Sequence, residues 1–259
     1  MKTIKLFEGT LCALLVGGLL VSSCTPKDEV KAADTYYGSE VSVGNGTART
    51  FLKVDNAGNP VSVGVKLTEA ALQNLPDGHN HRVQHTEAPS FPLPLPQQKL
   101  RTPFDHVTLD WNPVGHPPEN VYDKPHFDIH FYMMSEQERM AIGPEDPKIE
   151  ELPEARYMPE TYVPIPGGVP QMGKHWVDPA SMQQPFTHTF LYGTYNGRVT
   201  FYEPMVTLSH LQSKTKSVSP IAQPRAFHKT GLYYPSTYRI EYSEQEKAYF
   251  IILDGLQLK

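Results

Sequence analysis

The alternation of apolar and polar positions is sharpest in the middle of the chain, over Pro125-His126-Phe127-Asp128-Ile129-His130-Phe131-Tyr132-Met133-Met134. Read with a period of two, it predicts a β-strand with Phe127, Ile129, Phe131 and Met133 on one face and His126, Asp128, His130 and Tyr132 on the other. The first is an ordinary core face. The second carries groups that bind metals or move protons, and no Lys, Glu or Thr of the usual solvated kind. Alternation recurs in pairs. Thr47 to Val54, a turn at Asp55-Asn56-Ala57-Gly58-Asn59, and Val61, Val63 and Val65 predict one hairpin. His188 to Met205 predicts a second, turning at Asn196-Gly197. A two-residue loop there sets Tyr195 against Arg198, Tyr192 against Phe201 and Phe190 against Glu203. Glu203 then falls on the more apolar face with Phe190, Tyr192 and Phe201. A carboxylate in that position needs a cation or a donor network. A third hairpin spans Thr237 to Tyr242 and Lys247 to Leu253, and a further strand runs from about His106 to Trp111. Thr68 to Leu72 reads as a short capped helix. Ser135-Glu136-Gln137-Glu138 reads as a capping box that opens a helix to about Ile142.

Between these elements lie two long proline-rich stretches, 76–104 and 143–185, the second with nine prolines. Loops of this length in a compact domain are usually functional or interfacial. Long amphipathic helices are missing, so a parallel sheet would have nothing to cover it and a doubly wound fold is excluded. With about eight regularly spaced strands, the expected fold is mostly β: an antiparallel sandwich, jelly roll or barrel with long proline-rich loops and a few short helices.

The first residues have a different pattern. Lys2 and Lys5 precede an apolar run from Leu11 to Val21, short for a membrane span, and Leu20-Val21-Ser22-Ser23-Cys24 resembles a lipobox. The expected organisation is a lipoprotein signal peptide over 1–23, lipidation at Cys24, a flexible tether over 24–39 and a single mostly-β domain over 40–259. Cys24 would anchor the chain in the outer membrane or at the cell surface. Thr25 follows the cysteine, so inner-membrane retention is not signalled, and Lys27-Asp28-Glu29 resembles a surface-export tag. Cys12 and Cys24 are the only cysteines, so the mature chain would have no thiol chemistry, and any metal would rest on His and carboxylate donors. Removing 1–23 takes Lys2, Lys5 and Glu8 from totals of 23 basic and 28 acidic side chains. The remaining 21 against 27 give a charge of −6, which argues against nucleic-acid binding.

The blocks at 125–132, Gly173-Lys174-His175-Trp176-Val177-Asp178, and Tyr192-Gly193-Thr194-Tyr195-Asn196-Gly197 with Phe201-Tyr202-Glu203-Pro204-Met205 resemble a bacterial family of secreted or lipid-anchored proteins of unknown function. The resemblance covers about residues 45 to 212 and leaves the tail from 213 outside. It implies an envelope location and self-association as a homo-oligomer, and it transfers no activity or substrate.

The candidate site comprises His126, Asp128, His130, His175 and Glu203, a donor set suited to one divalent transition metal such as zinc, iron, manganese or copper. Strand residues four apart are about 13 Å apart, so His126 and His130 could share an ion only directly over Asp128. An adjacent pair, Asp128 with either histidine, is easier, and Asp128 could instead orient a ligand histidine. The alternative is a structural polar network with Glu203 tied to Arg198, Arg225 or Lys174. His79, His81 and His85 read as solvated loop residues, with a second metal site as the alternative. No Gly-x-Ser-x-Gly elbow is present and no organic cofactor is indicated. Tyr192, Tyr195, Tyr202, Tyr233 and Tyr234 read as sheet packing or as the lining of a cleft for an unknown small molecule. An enzyme and a binding protein both stay open.

Overall fold

The alternating segments pair into two antiparallel sheets around one apolar core. The structure, a computed structural model, describes Met1 and residues 34–77, 88–97 and 101–259. Cys24, most of the expected tether, and His79, His81 and His85 lie outside the described residues. In chain order the strands are β1 (Thr35–Tyr37), β2 (Val41–Val43), β3 (Gly46–Val54), β4 (Pro60–Thr68), β5 (Ser90–Leu93), β6 (His106–Asn112), β7 (His126–Tyr132) and β8 (Val163–Pro164). They continue with β9 (Lys174–Val177), β10 (His188–Tyr195), β11 (Arg198–Thr207), β12 (Ser217–Pro220), β13 (Tyr233–Tyr234), β14 (Thr237–Ser243), β15 (Ala248–Asp254) and β16 (Gln257–Leu258). One sheet runs β1-β3-β4-β15-β14-β12, with β2 also paired to β3, and the other runs β5-β6-β7-β11-β10-β9-β8. The pair β13-β16 stands apart. Neither pairing order returns on itself, so no barrel closes.

The core lies between the sheets. Val63, Val65, Leu67, Ile251 and Leu253 from the first meet Leu109, Phe127, Ile129, Phe131, Tyr192 and Tyr202 from the second. The core face expected for β7 is therefore the one observed, and Tyr192 and Tyr202 are packing residues. Antiparallel sheets commonly leave their second face to solvent, yet all seven residues of β7 are buried. The proline-rich loops cover its outer face. Ile142, Ile149 and Met172 pack there on Tyr132, Tyr195 and Phe201, while Tyr122 and Phe186 pack on Leu191 and Met205. A chain that cannot supply every N–H to a ladder suits this covering role, because it lies across strands without extending the sheet.

The short helix α1 (Glu136–Met140) begins at Ser135 with both capping-box bonds to Glu138 present, and α2 (Leu208–Gln212) is capped by Thr207. Glu69–Leu72 is a 3-10 turn without a side-chain cap. The loop expectations need three corrections. The stretch 76–104 contains β5, whose Pro92 is tolerated because β5 is an edge strand. The stretch 143–185 contains β8 and β9. The sheet already begins at Thr35, inside the stretch expected as tether, because Thr35, Tyr36 and Tyr37 pair with β3. No helix among the described residues is long and apolar enough to cross a membrane.

Candidate metal centre

Four strands present the polar side chains of the covered face. β6 contributes Thr108, Asp110 and Asn112, which lie opposite His130, Asp128 and His126 of β7. On the other side of β7, Met205 lies opposite Asp128 and Thr207 opposite His126, so Glu203 of β11 falls beside His130. β10 sets Leu191 against Glu203 and Gly193 against His175 of β9. The hairpin register departs from expectation. Tyr195 does pair with Arg198, but a bulge between Gly193 and Thr194 sets Tyr192 against Tyr202 and Leu191 against Glu203. Phe201 and Glu203 therefore lie on the face away from the core that holds Phe190 and Tyr192. Gly193 leaves room there for the Phe201 ring, onto which a Cβ at 193 would fall. That ring sits 5.0 Å from His130 and 5.1 Å from His175 between centroids.

The five expected residues do not form one cluster. His130, His175 and Glu203 form one group, and His126 and Asp128 belong to another with His116. In the first, Nε2 of His130 lies 3.5 Å from Glu203 Oε1, and Nε2 of His175 lies 3.5 Å from Oε2. Donors of a tetrahedral ion with bonds of about 2.0–2.1 Å stand about 3.3 Å apart, so the spacing matches that of ligands around a common ion. His130 is oriented from behind. Its Nδ1 donates to Asp110 Oδ2 at 2.8 Å, and the Thr108 hydroxyl donates to the same oxygen at 2.8 Å. A carboxylate holding Nδ1–H in this way leaves the Nε2 lone pair to the metal side. Glu203 is fully buried, and neither of its oxygens nor His130 Nε2 has a hydrogen-bond partner. The cations weighed as its partners go elsewhere: Lys174 to Glu150 and the Gly167 carbonyl, Arg225 to Glu160.

Burial pushes the Glu203 carboxyl up, to about 8, against the pull of His130 and with the push of Asp128 and Asp110. Burial works against a charge on His130, but the Glu203 carboxylate and Asp110 overcome it and raise the ring to about 9. Asp128, which burial alone would push up, is held well below the usual carboxylate range by His126 and His116. Depth therefore favours a proton on Glu203, which a bound cation would have to displace.

His116 and His175 both line a cleft of about 360 Å³, together with Pro117, Tyr122, Ile165 and Gly168. Two imidazoles and one carboxylate leave coordination positions for water or a small molecule, the arrangement in which a bound ion polarises a ligand or lowers the pKa of a water. Sequence reasoning missed His116 and Asp110. The second was within reach, because His106, Thr108, Asp110 and Asn112 alternate with Val107, Leu109 and Trp111. His175, inside the stretch 143–185 expected as a loop, sits on β9.

Residues 55–111 match the family model described as TTHB210-like, Hypothetical protein TTHB210. The match supports likeness to an uncharacterised family. It falls inside the expected span of 45–212 and includes Thr108 and Asp110, but it stops before the blocks around His126, His175 and Glu203. No curated protein and no solved structure matches the chain.

Proposed function

We propose that the chain is a metal-binding protein that holds one divalent transition-metal ion among His130, His175 and Glu203, open to the cleft beside them. The observation that carries this reading is Glu203. A carboxylate with no exposed surface and no hydrogen-bond donor is costly in a protein interior, and two imidazoles stand at ligand spacing around it. Metal-assisted hydrolysis is the first reaction class to screen, because the donor set leaves a position for water. The test is elemental analysis of residues 25–259 purified without a His tag, beside His130→Ala and Glu203→Gln. One tightly held ion per chain that both variants lose supports the reading. An ion content that neither substitution changes, or no uptake of zinc, iron, manganese or copper, refutes it.

Delivery to the envelope through a lipidated Cys24 belongs to the same proposal and rests on the Leu20–Cys24 pattern alone. Incorporation of labelled palmitate by the full chain, lost in Cys24→Ala, checks it.

A further inference from the structure

The centre at Glu203 makes no use of His116, His126 and Asp128, which form a group of their own. His126 and Asp128 sit two residues apart on the covered face of β7. His116 reaches them from the loop between β6 and β7. Gly115 before it has a φ of +74°, and a Cβ there would meet the backbone of Tyr122 and Asp123, so the loop can fold closely against itself only with glycine. The His116 amide then donates to the Tyr122 carbonyl at 3.0 Å and fixes the turn.

The ring nitrogens have assigned roles. Nδ1 of His116 lies 2.7 Å from the Pro117 carbonyl oxygen, and Nδ1 of His126 lies 2.6 Å from that of Lys124. A carbonyl oxygen only accepts, so each Nδ1 carries the proton, and a neutral ring presents a lone pair at Nε2. Those Nε2 atoms lie 3.3 Å from Asp128 Oδ2 and 3.1 Å from Oδ1. Oδ2 also accepts from Asn112 Nδ2 at 2.8 Å, whereas Oδ1 and His126 Nε2, both in residues at most 1% exposed, have no hydrogen-bond partner. Tyr122 and Phe186 close over the group, with Phe186 5.1 Å from His126 between ring centroids. Donor atoms of the three side chains therefore converge within one small space beside the cleft. A divalent ion between the three side chains would pair with Asp128 Oδ1 and His126 Nε2, the two atoms left without a hydrogen-bond partner.

We propose that His116, His126 and Asp128 hold a second divalent transition-metal ion, of the class that imidazole and carboxylate donors take, separate from the ion at Glu203. The donor spacings of 3.1 and 3.3 Å are those of ligands sharing one ion. Asn112 and the two backbone carbonyls supply the outer contacts that orient such ligands. Because His116 and His175 line the same cleft, both ions face one ligand-sized space.

The test is titration of the metal-stripped protein with zinc, followed calorimetrically, and with cobalt(II), followed by its visible absorption. Two ions per chain are expected in the wild type, one in Asp128→Asn, one in Glu203→Gln and none in the double variant. His116→Gln alters only the loop, so it carries the decision if Asp128→Asn does not fold by circular dichroism, and it too should bind one ion. A wild type that binds one ion, lost in Glu203→Gln and kept in Asp128→Asn and His116→Gln, overturns this inference and leaves the Glu203 centre standing. One ion lost in Asp128→Asn or His116→Gln and kept in Glu203→Gln supports this site and refutes the other. No uptake by the wild type overturns both.

Discussion

Replacing Glu203 by Gln should stabilise the protein stripped of metal and remove the stabilisation that zinc gives through the Glu203 centre. In the native state burial holds the carboxyl above pH 7, whereas the unfolded chain titrates near 4.5. At pH 7 the folded protein therefore keeps a proton that the unfolded chain has released. The gap between 4.5 and pH 7, at about 1.36 kcal/mol per pH unit, makes that worth on the order of 3 kcal/mol of lost stability. Gln has nearly the same shape and does not titrate. Its amide still lacks partners, and His130 loses the carboxylate that raises it, which together return most of this, so a net gain on the order of 1 kcal/mol remains. For a domain of this size that is about 2–4 °C in Tm. The sign follows from proton counting. Between pH 4.5 and about 8 the native state binds one more proton than the unfolded state, so metal-free wild type loses stability as pH rises. His130, raised to about 9, acts in the same direction above pH 6.5. The variant should show a flatter slope. Zinc expels the protons and stabilises wild type by about 2.7 kcal/mol at a hundredfold excess over Kd, so the order of the two proteins inverts. Thermal unfolding followed by circular dichroism at pH 7, in EDTA and in zinc, measures all four values. A variant destabilised by about 2 kcal/mol in EDTA would refute the reasoning, because Glu203 would then be needed as a buried anion. A variant that responds to zinc as wild type does would refute its role as a ligand.

Asp110→Asn removes the acceptor that orients His130, and zinc affinity at that centre should fall about 10- to 100-fold with little change in secondary structure, as competition against a chelating dye would measure. Zinc binding at pH 7 should release about one to two protons, because Glu203 and His130 must both give theirs up. Calorimetry in buffers of different ionisation enthalpy reads that number, and a value near zero rejects the ligand assignment. Gly193→Ala should cost about 1–3 kcal/mol by urea denaturation and weaken zinc binding, since the added Cβ drives the Phe201 ring toward His130 and His175. An unchanged zinc affinity would show that Phe201 does not position the ligands.

The parts of this fold that the sequence discloses depend on strict period-two alternation. β7 discloses both its faces, because eight alternating positions from His126 to Met133 leave no other assignment, and the limit of about 13 Å between its outer residues already opposed one ion shared by His126 and His130. The structure places those two histidines in different groups. The hairpin of β10 and β11 discloses its turn but not its register, because the bulge at Gly193 adds a residue that alternation cannot signal. That residue moves Glu203 from the Phe190 face to the opposite one. The conclusion that a carboxylate there needs a cation survives the change of face, since burial is equally complete on both sides of this sheet.

What the sequence hides is the pairing of β6 with β7. The connection between them, residues 113–125, carries no short-turn signature that would set a register, so Asp110 could not be matched to Asp128 in advance. The structure sets these carboxylates directly opposite each other. Like charges in that position destabilise a sheet unless each finds compensation. Here each turns to a different histidine, Asp110 to His130 and Asp128 to His126. This divergence divides the polar face into two centres. Asp110 spends its charge orienting a ligand, whereas Asp128 faces two histidine Nε2 atoms with one oxygen that has no hydrogen-bond partner, and that difference in role is why the first group reads as one ion with a supporting acceptor and the second as the proposed site of another.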